Sequence, residues 1–307
     1  MTVHGSWTVD RLVEAYTQHQ HRTRGLRPQT LRQCARFVRM FARAALGTDP
    51  IDPSRLTPAD VVAFITSVRG RFSLRSMRTV RSTLRSFFRF LCFQGFCGDE
   101  LEAALPAIAH WRLATLPRAL TNQQVEQVLA SFNGSTPCRQ RDHAIVQCLS
   151  TLGLRPGEVA DLCLDDIDWR GGTLQIRTRK NRRGAVLPLP REAGQALVDY
   201  LRRERPATGE RRVFVQHLGG RRGEPISSTA VSGVVARALR RAAVDTSLTG
   251  AYVFRHTLAS RMVQQGASPK EVADVLGHRD LDTTTIYAKL DLPKLREVAL
   301  PWPEVHR

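Results

Sequence analysis

Lysine is almost absent from this sequence, standing only at Lys180, Lys270, Lys289 and Lys294. Carboxylates are also scarce: 28 Asp+Glu face 46 Lys+Arg, leaving a formal charge of +18 over 307 residues. A genome rich in arginine codons would explain arginine in place of lysine, but not the shortage of acids. Such a balance suits a polyanion, because each phosphate neutralised releases counterions and strengthens binding. Nucleic acid is therefore the expected partner. The six cysteines form no C-x-x-C pair and no Cys/His cluster at metal spacing, which argues against a disulfide framework or a zinc site. They read as reduced core thiols, most of them in apolar helical surroundings. No charged start leads into an apolar segment, and no apolar run approaches the roughly 20 residues a membrane span needs. A soluble cytoplasmic protein, associated with the nucleoid and without metal or cofactor, is the expectation.

What is present is enough apolar content, 42%, to build packed cores, in a chain long enough for two domains. From Thr8 to about Gly98 the pattern is helical. Thr8 can cap a helix to about His21, and Arg27-Pro28 opens a second with Leu31, Cys34, Phe37, Val38 and Phe41 on one face. Thr57-Pro58-Ala59-Asp60 is a helix start, a cap residue followed by Pro at the first helical position. A longer helix runs from about Ser73 to Phe93. Along it Arg71, Arg75, Arg78, Arg81, Arg85 and Arg89 form a stripe that no acid interrupts. Like charges at i,i+4 repel, so the stripe reads as a nucleic-acid-binding face.

Between Gly98 and Leu120 the composition shifts, with Pro106 and Leu116-Pro117, and reads as a linker. Thr121 caps a helix over 125–132. Further helices are expected over 138–152 and from Pro156, then two strands over 173–178 and 185–189 joined by a turn at 180–184. Helices follow at about 192–205, 228–243, 254–265, 269–276 and 282–289. The division expected is a helical domain over 1–105, a linker over 106–119, a second domain over 120–290 and a tail over 291–307.

Four segments of the second half need a common explanation. They are Gly153-Leu154-Arg155-Pro156-Gly157-Glu158, Thr178-Arg179-Lys180-Asn181-Arg182-Arg183-Gly184, Tyr252-Val253-Phe254-Arg255-His256-Thr257, and Leu276-Gly277-His278-Arg279-Asp280 with Tyr287 nine residues beyond His278. Singly each is weak: an arginine near a helix start can simply pair with an acid, and Gly-His can be an ordinary helix end. In this order and spacing they resemble the tyrosine recombinase (phage integrase) family, of Xer-like or transposon/phage integrase type, and the resemblance covers most of the chain.

The resemblance implies a mainly helical fold with a small antiparallel sheet: an all-helical, SAM-like core-binding domain, then a catalytic domain, the two clasping duplex DNA. It implies a site-specific recombinase or integrase that cuts and rejoins DNA through a 3′-phosphotyrosyl intermediate, without metal or ATP. Tyr287 would be the nucleophile. Arg155 and Arg255 would clamp the phosphate, a task suited to guanidiniums, which offer a planar fork of donors and keep their charge. Lys180, in the turn between the strands, would protonate the leaving 5′-oxygen; a lysine has the adjustable pKa an arginine lacks. Arg179, Arg182 and Arg183 make the same turn attractive to phosphate. His278 matches the position that hydrogen-bonds the phosphate or the nucleophile, and Glu158 is a supporting residue that pairs with an arginine or caps its own helix.

The sequence departs from the family at Tyr252, where a histidine is usual three residues before the second arginine. A phenol can position a phosphate but is a poor base at neutral pH. His256 lies one residue past Arg255, about 100° around the helix, and is not expected to substitute. The departure keeps a second possibility open, a DNA-binding protein with a decayed site; relaxation of supercoils in the manner of type IB topoisomerases is a third. The resemblance further implies inverted binding sites and a homo- or hetero-tetramer on DNA, with or without partner recombinases. The apolar tail at 298–302 would dock on a neighbouring subunit or on its own domain.

Overall fold

The computed structural model describes residues 7–108, 119–134, 138–177, 184–244, 250–277 and Tyr287. The chain divides into two compact units, Met1–Trp111 and Arg112–Arg307.

The first unit is helical. α1 (Val9–Arg24) begins at Thr8, whose hydroxyl accepts from the Arg11 amide, and ends at Gly25. α2 (Pro28–Leu46) has Pro at its first position, where no helical N–H is lost. α3 (Pro58–Val68) starts with a reciprocal capping box between Thr57 and Asp60, and Ser73 caps α4 (Leu74–Phe93). Leu12, Tyr16, Val38, Phe41, Val61, Leu84, Phe87 and Leu91 fill the core between them. A short α5 (Glu100–Ala103) lies in a stretch the sequence offered no helical periodicity to find.

That short helix brings a carboxylate to the arginine stripe. Glu102 accepts from Nε and Nη2 of Arg89, both at 2.8 Å, and lies 3.3 Å from Nε of Arg85. Arg81 donates from Nε to the Pro106 carbonyl at 2.7 Å. The compensating acid comes not from within α4 but from the chain that folds back after Gly95, beyond the reach of an i,i+4 argument. Arg71 stays exposed and Arg78 is half-buried, while the Arg75 side chain lies outside the described residues.

In the second unit α6 (Asn122–Ala130) begins with a Thr121–Gln124 capping box. α7 (Arg139–Leu152) is the central helix, buried continuously from Ala144 to Ser150 and packed against the flanking helices. α8 (Pro156–Asp161) is short. β1 (Ile167–Asp168), β2 (Thr173–Ile176) and β3 (Ala185–Pro188) make an antiparallel sheet in that order. The register sets Leu174 opposite both Ile167 and Leu187, three apolar side chains on the core face. β1 adds a third strand to the two expected from sequence, since two residues carry no alternation to announce them. α9 (Arg191–Arg203), α10 (Ser228–Arg241), α11 (Tyr252–Gln264) and α12 (Pro269–Leu276) complete the described elements. The expected helix over 282–289 and the tail over 291–307 lie outside them, as does most of the expected linker.

All six cysteines are free, but only Cys34 and Cys148 are core thiols; Cys92 is exposed and the rest are half-buried. Burial pushes the Cys148 thiol up to about 12. Among the described residues no helix is long and apolar enough to cross a membrane.

Candidate active site

α7 ends at Gly153 in the left-handed conformation, φ 61°, and the chain turns at once into α8. A Cβ at Gly153 would lie 2.7 Å from Leu276 and 2.8 Å from Leu258, so the turn requires glycine for its angle and its space. The turn places Arg155 just before Pro156. Glu158 then fixes Arg155 twice, accepting from its backbone N–H at 2.8 Å and from Nη1 at 2.9 Å. The same carboxylate thus caps α8 and orients the guanidinium.

Arg255 arrives from α11 and is buried, at 5% exposure. Its Nη1 donates to the Gly153 carbonyl at 2.7 Å and its Nη2 to the Leu276 carbonyl. Arg155 reaches the same place: Nη1 lies 3.3 Å from the Leu276 carbonyl and Nη2 3.2 Å from that of Gly277. These acceptors exist because α12 stops at Gly277, again left-handed at φ 58°, and leaves its last carbonyls unpaired within the helix. Two arginines far apart in sequence thus converge on one helix end.

Tyr287 is 2% exposed and packs with Ala259, Val263, Val272 and Leu276. Its hydroxyl lies 2.6 Å from Nδ1 of His256. Burial pushes the phenol up to about 12, opposed by the nearby Arg255 guanidinium. Tyr252 is the first residue of α11 and is 52% exposed.

Of the residues singled out from sequence, the structure brings together Arg155, Glu158 and Arg255, and sets Tyr287 against the same helix as Arg255. Lys180, His278 and the turn arginines Arg179, Arg182 and Arg183 lie outside the described residues. The 100° rotation from Arg255 set His256 aside as a substitute for the usual histidine. The rotation is real, but it turns His256 onto the side where Tyr287 packs. The available signal was helical spacing: Ala259 and Val263, at i+3 and i+7 from His256, both belong to the Tyr287 cluster. Among the described residues no group of three or more His, Cys, Asp or Glu is gathered to hold a metal.

Two family models match the chain: "Phage integrase, N-terminal SAM-like domain" over residues 13–95 and "Phage integrase family" over residues 118–292. The chain is 39% identical to "Putative integrase/recombinase y4rA" of Sinorhizobium fredii, over 98% of its own length and 73% of that protein's. It is 28% identical to tyrosine recombinase XerD of Listeria monocytogenes, over 94% of this chain and 96% of that one. A solved structure of XerH site-specific recombinase bound to palindromic difH substrate superposes with a TM-score of 0.74, at 20% identity, over 97% of this chain and 85% of the other. With both halves matched and a relative of 39% identity along nearly the whole chain, the chain belongs to the phage integrase family and is a site-specific tyrosine recombinase.

Proposed function

We propose that the enzyme cuts and rejoins duplex DNA at inverted sites, with Tyr287 as nucleophile and Arg155 and Arg255 as the phosphate clamp. The observation that carries the reading is the convergence of both guanidiniums on the Leu276 carbonyl, which marks a point two arginine forks reach together. A phosphate oxygen is a stronger acceptor than that carbonyl for a charged donor. Negative charge building on the phosphate during attack would be met by donors already aimed, and such preorganised groups supply much of the rate in sites that exclude water.

In this reading the Tyr287 oxygen forms a bond to phosphorus as the bond to the 5′-oxygen breaks, leaving a 3′-phosphotyrosyl link. The link retains the energy of the phosphodiester, so the 5′-hydroxyl of another strand can reverse the step. Lys180 protonates the leaving oxygen, His278 hydrogen-bonds the phosphate, and the exposed Tyr252 serves as a positioning donor. Strand exchange requires two sites and four subunits. DNA as the partner is supported by two complexes of similar fold, XerH bound to its difH substrate and a lambda integrase dimer bound to a COC′ core site.

The test uses a duplex carrying the inverted repeat that the protein protects from nuclease in the DNA flanking its gene, nicked close to the cleavage point. The broken strand then escapes and the covalent protein–DNA adduct accumulates. Wild type is expected to form an adduct that maps to Tyr287, and Tyr287→Phe to form none while still binding. Binding without any adduct from the intact chain would overturn the enzymatic assignment of Tyr287.

A further inference from the structure

We propose that His256 is a catalytic residue of this recombinase: its Nδ1 aims the Tyr287 oxygen and takes the phenolic proton as that oxygen attacks. The inference rests on Tyr287 being the nucleophile.

Three observations carry it. The Tyr287 hydroxyl lies 2.6 Å from His256 Nδ1, within the range of direct proton transfer. Among the described residues, the cluster that buries Tyr287 is made of apolar side chains, Ala259, Val263, Val272 and Leu276, which cannot accept a proton. The position that would carry an imidazole one turn earlier is Tyr252, exposed at the start of α11. A phenol is a poor general base at neutral pH.

The need for an acceptor is physical. With burial holding the Tyr287 phenol near 12, on the order of one molecule in 10⁵ would be ionised at pH 7. For the phenol to donate, Nδ1 must carry the lone pair, which puts the imidazole proton on Nε2. The step balances without any other reactant. The Tyr287 O–H bond breaks and its proton passes to Nδ1, giving imidazolium. The Tyr287 oxygen then bonds to phosphorus, the bond from phosphorus to the 5′-oxygen breaks, and that oxygen takes its proton from Lys180. Rejoining runs the transfers backwards, the imidazolium returning its proton to Tyr287.

Among the described residues, the charged and titratable groups of α11 and of the helices packed on it are these, with Tyr252 and Arg261 also standing on α11. Arg255 stands beside His256 on α11 and acts on Tyr287. Arg155, with Glu158 on it, meets Arg255 at the Leu276 carbonyl. α12, packed on α11, carries Lys270, Glu271 and Asp274, all exposed. α7, also packed on α11, carries Arg139, Arg141, Asp142 and His143 in its first turns and the fully buried Cys148.

The test is the single-turnover rate of adduct formation on the nicked duplex, followed from about pH 5 to 10, with binding and melting temperature measured in parallel. His256→Ala is expected to slow cleavage about 10²–10⁴-fold at neutral pH without loss of DNA binding. His256→Asn keeps an acceptor near Nδ1 but cannot take the proton. It should also be slow at neutral pH, and it should regain rate as the pH rises, whereas wild type levels off above the histidine range. Cleavage by either variant at or above the wild-type rate would overturn the proposal and make the contact one that merely holds Tyr287 aside. So would a wild-type pH profile retained in His256→Asn and lost in Tyr252→Phe. Wild type that binds but forms no adduct would overturn the assignment of Tyr287 as well, so the two failures are distinct.

Discussion

Arg155 and Arg255 donate to the same acceptor, the carbonyl of Leu276 at the end of α12. A helix C-terminus carries partial negative charge, so this helix end occupies the guanidiniums much as a phosphate oxygen would. The arrangement holds the arginines in place before any substrate arrives, and ties their geometry to the turn after α12.

The two arginines should therefore separate in stability though not in chemistry. Arg255→Ala removes the donor to the buried Gly153 carbonyl and should cost about 2–4 kcal/mol in denaturant unfolding. Arg155, whose bonds lie nearer solvent, should cost less when replaced by Ala. Both variants should lose at least about 10² in the rate of adduct formation. Equal melting temperatures for the two would contradict the burial argument.

Gly153 connects backbone to chemistry. Gly153→Ala forces a side chain into a left-handed φ and against Leu276 and Leu258, at a cost of about 1–3 kcal/mol. Because the Gly153 carbonyl holds Arg255, cleavage should fall as well, although no side chain of the site has been altered. A variant as stable and as fast as wild type would show that the turn adapts freely.

Helix starts were legible from sequence because their signals are local: Thr8, Thr57, Ser73 and Thr121 all cap where their hydroxyls and the following residues indicate. The arginine positions were legible from motif order. The partners of those side chains were not. Glu102 reaches Arg85 and Arg89 across a turn, and His256 meets Tyr287 across thirty-one residues of chain. Each contact depends on how helices fold back on each other, which no window of the sequence contains. β1, two residues long, is defined only by its pairing with β2.

Alkaline stability should depend on Tyr287. In the folded chain its phenol stays protonated to about pH 12, whereas an unfolded tyrosine ionises near 10. The contribution is whole below about pH 10 and is lost as the pH rises from there toward 12, since the unfolded state sheds its proton first. Tyr287→Phe cannot ionise, so its melting temperature should fall less steeply than that of wild type across this range. Tyr200, pushed up to about 12 by burial, should contribute in the same way. Parallel curves for wild type and Tyr287→Phe would mean that the phenol is not buried in solution.

The arginines of α4 should divide by whether they already have a carboxylate. Arg71, just ahead of that helix, is exposed, with no ion pair among the described residues. Arg71→Ala should weaken DNA binding and reduce the slope of log affinity against log salt by about 1. Arg89 is held by two bonds to Glu102, and the Arg89 hydrogen bond keeps that carboxyl below its usual range, so the pair persists at neutral pH. A phosphate must compete with Glu102 for Arg89, and Arg89→Ala should therefore change the salt slope less than Arg71→Ala does. Glu102→Gln releases both Arg85 and Arg89, so binding should tighten, by less than about tenfold, with a steeper salt dependence. Because Arg71 and Arg89 are exposed, replacing either should leave folding stability nearly untouched. If Glu102→Gln instead weakens binding, the carboxylate is presenting the arginines to DNA rather than holding them back.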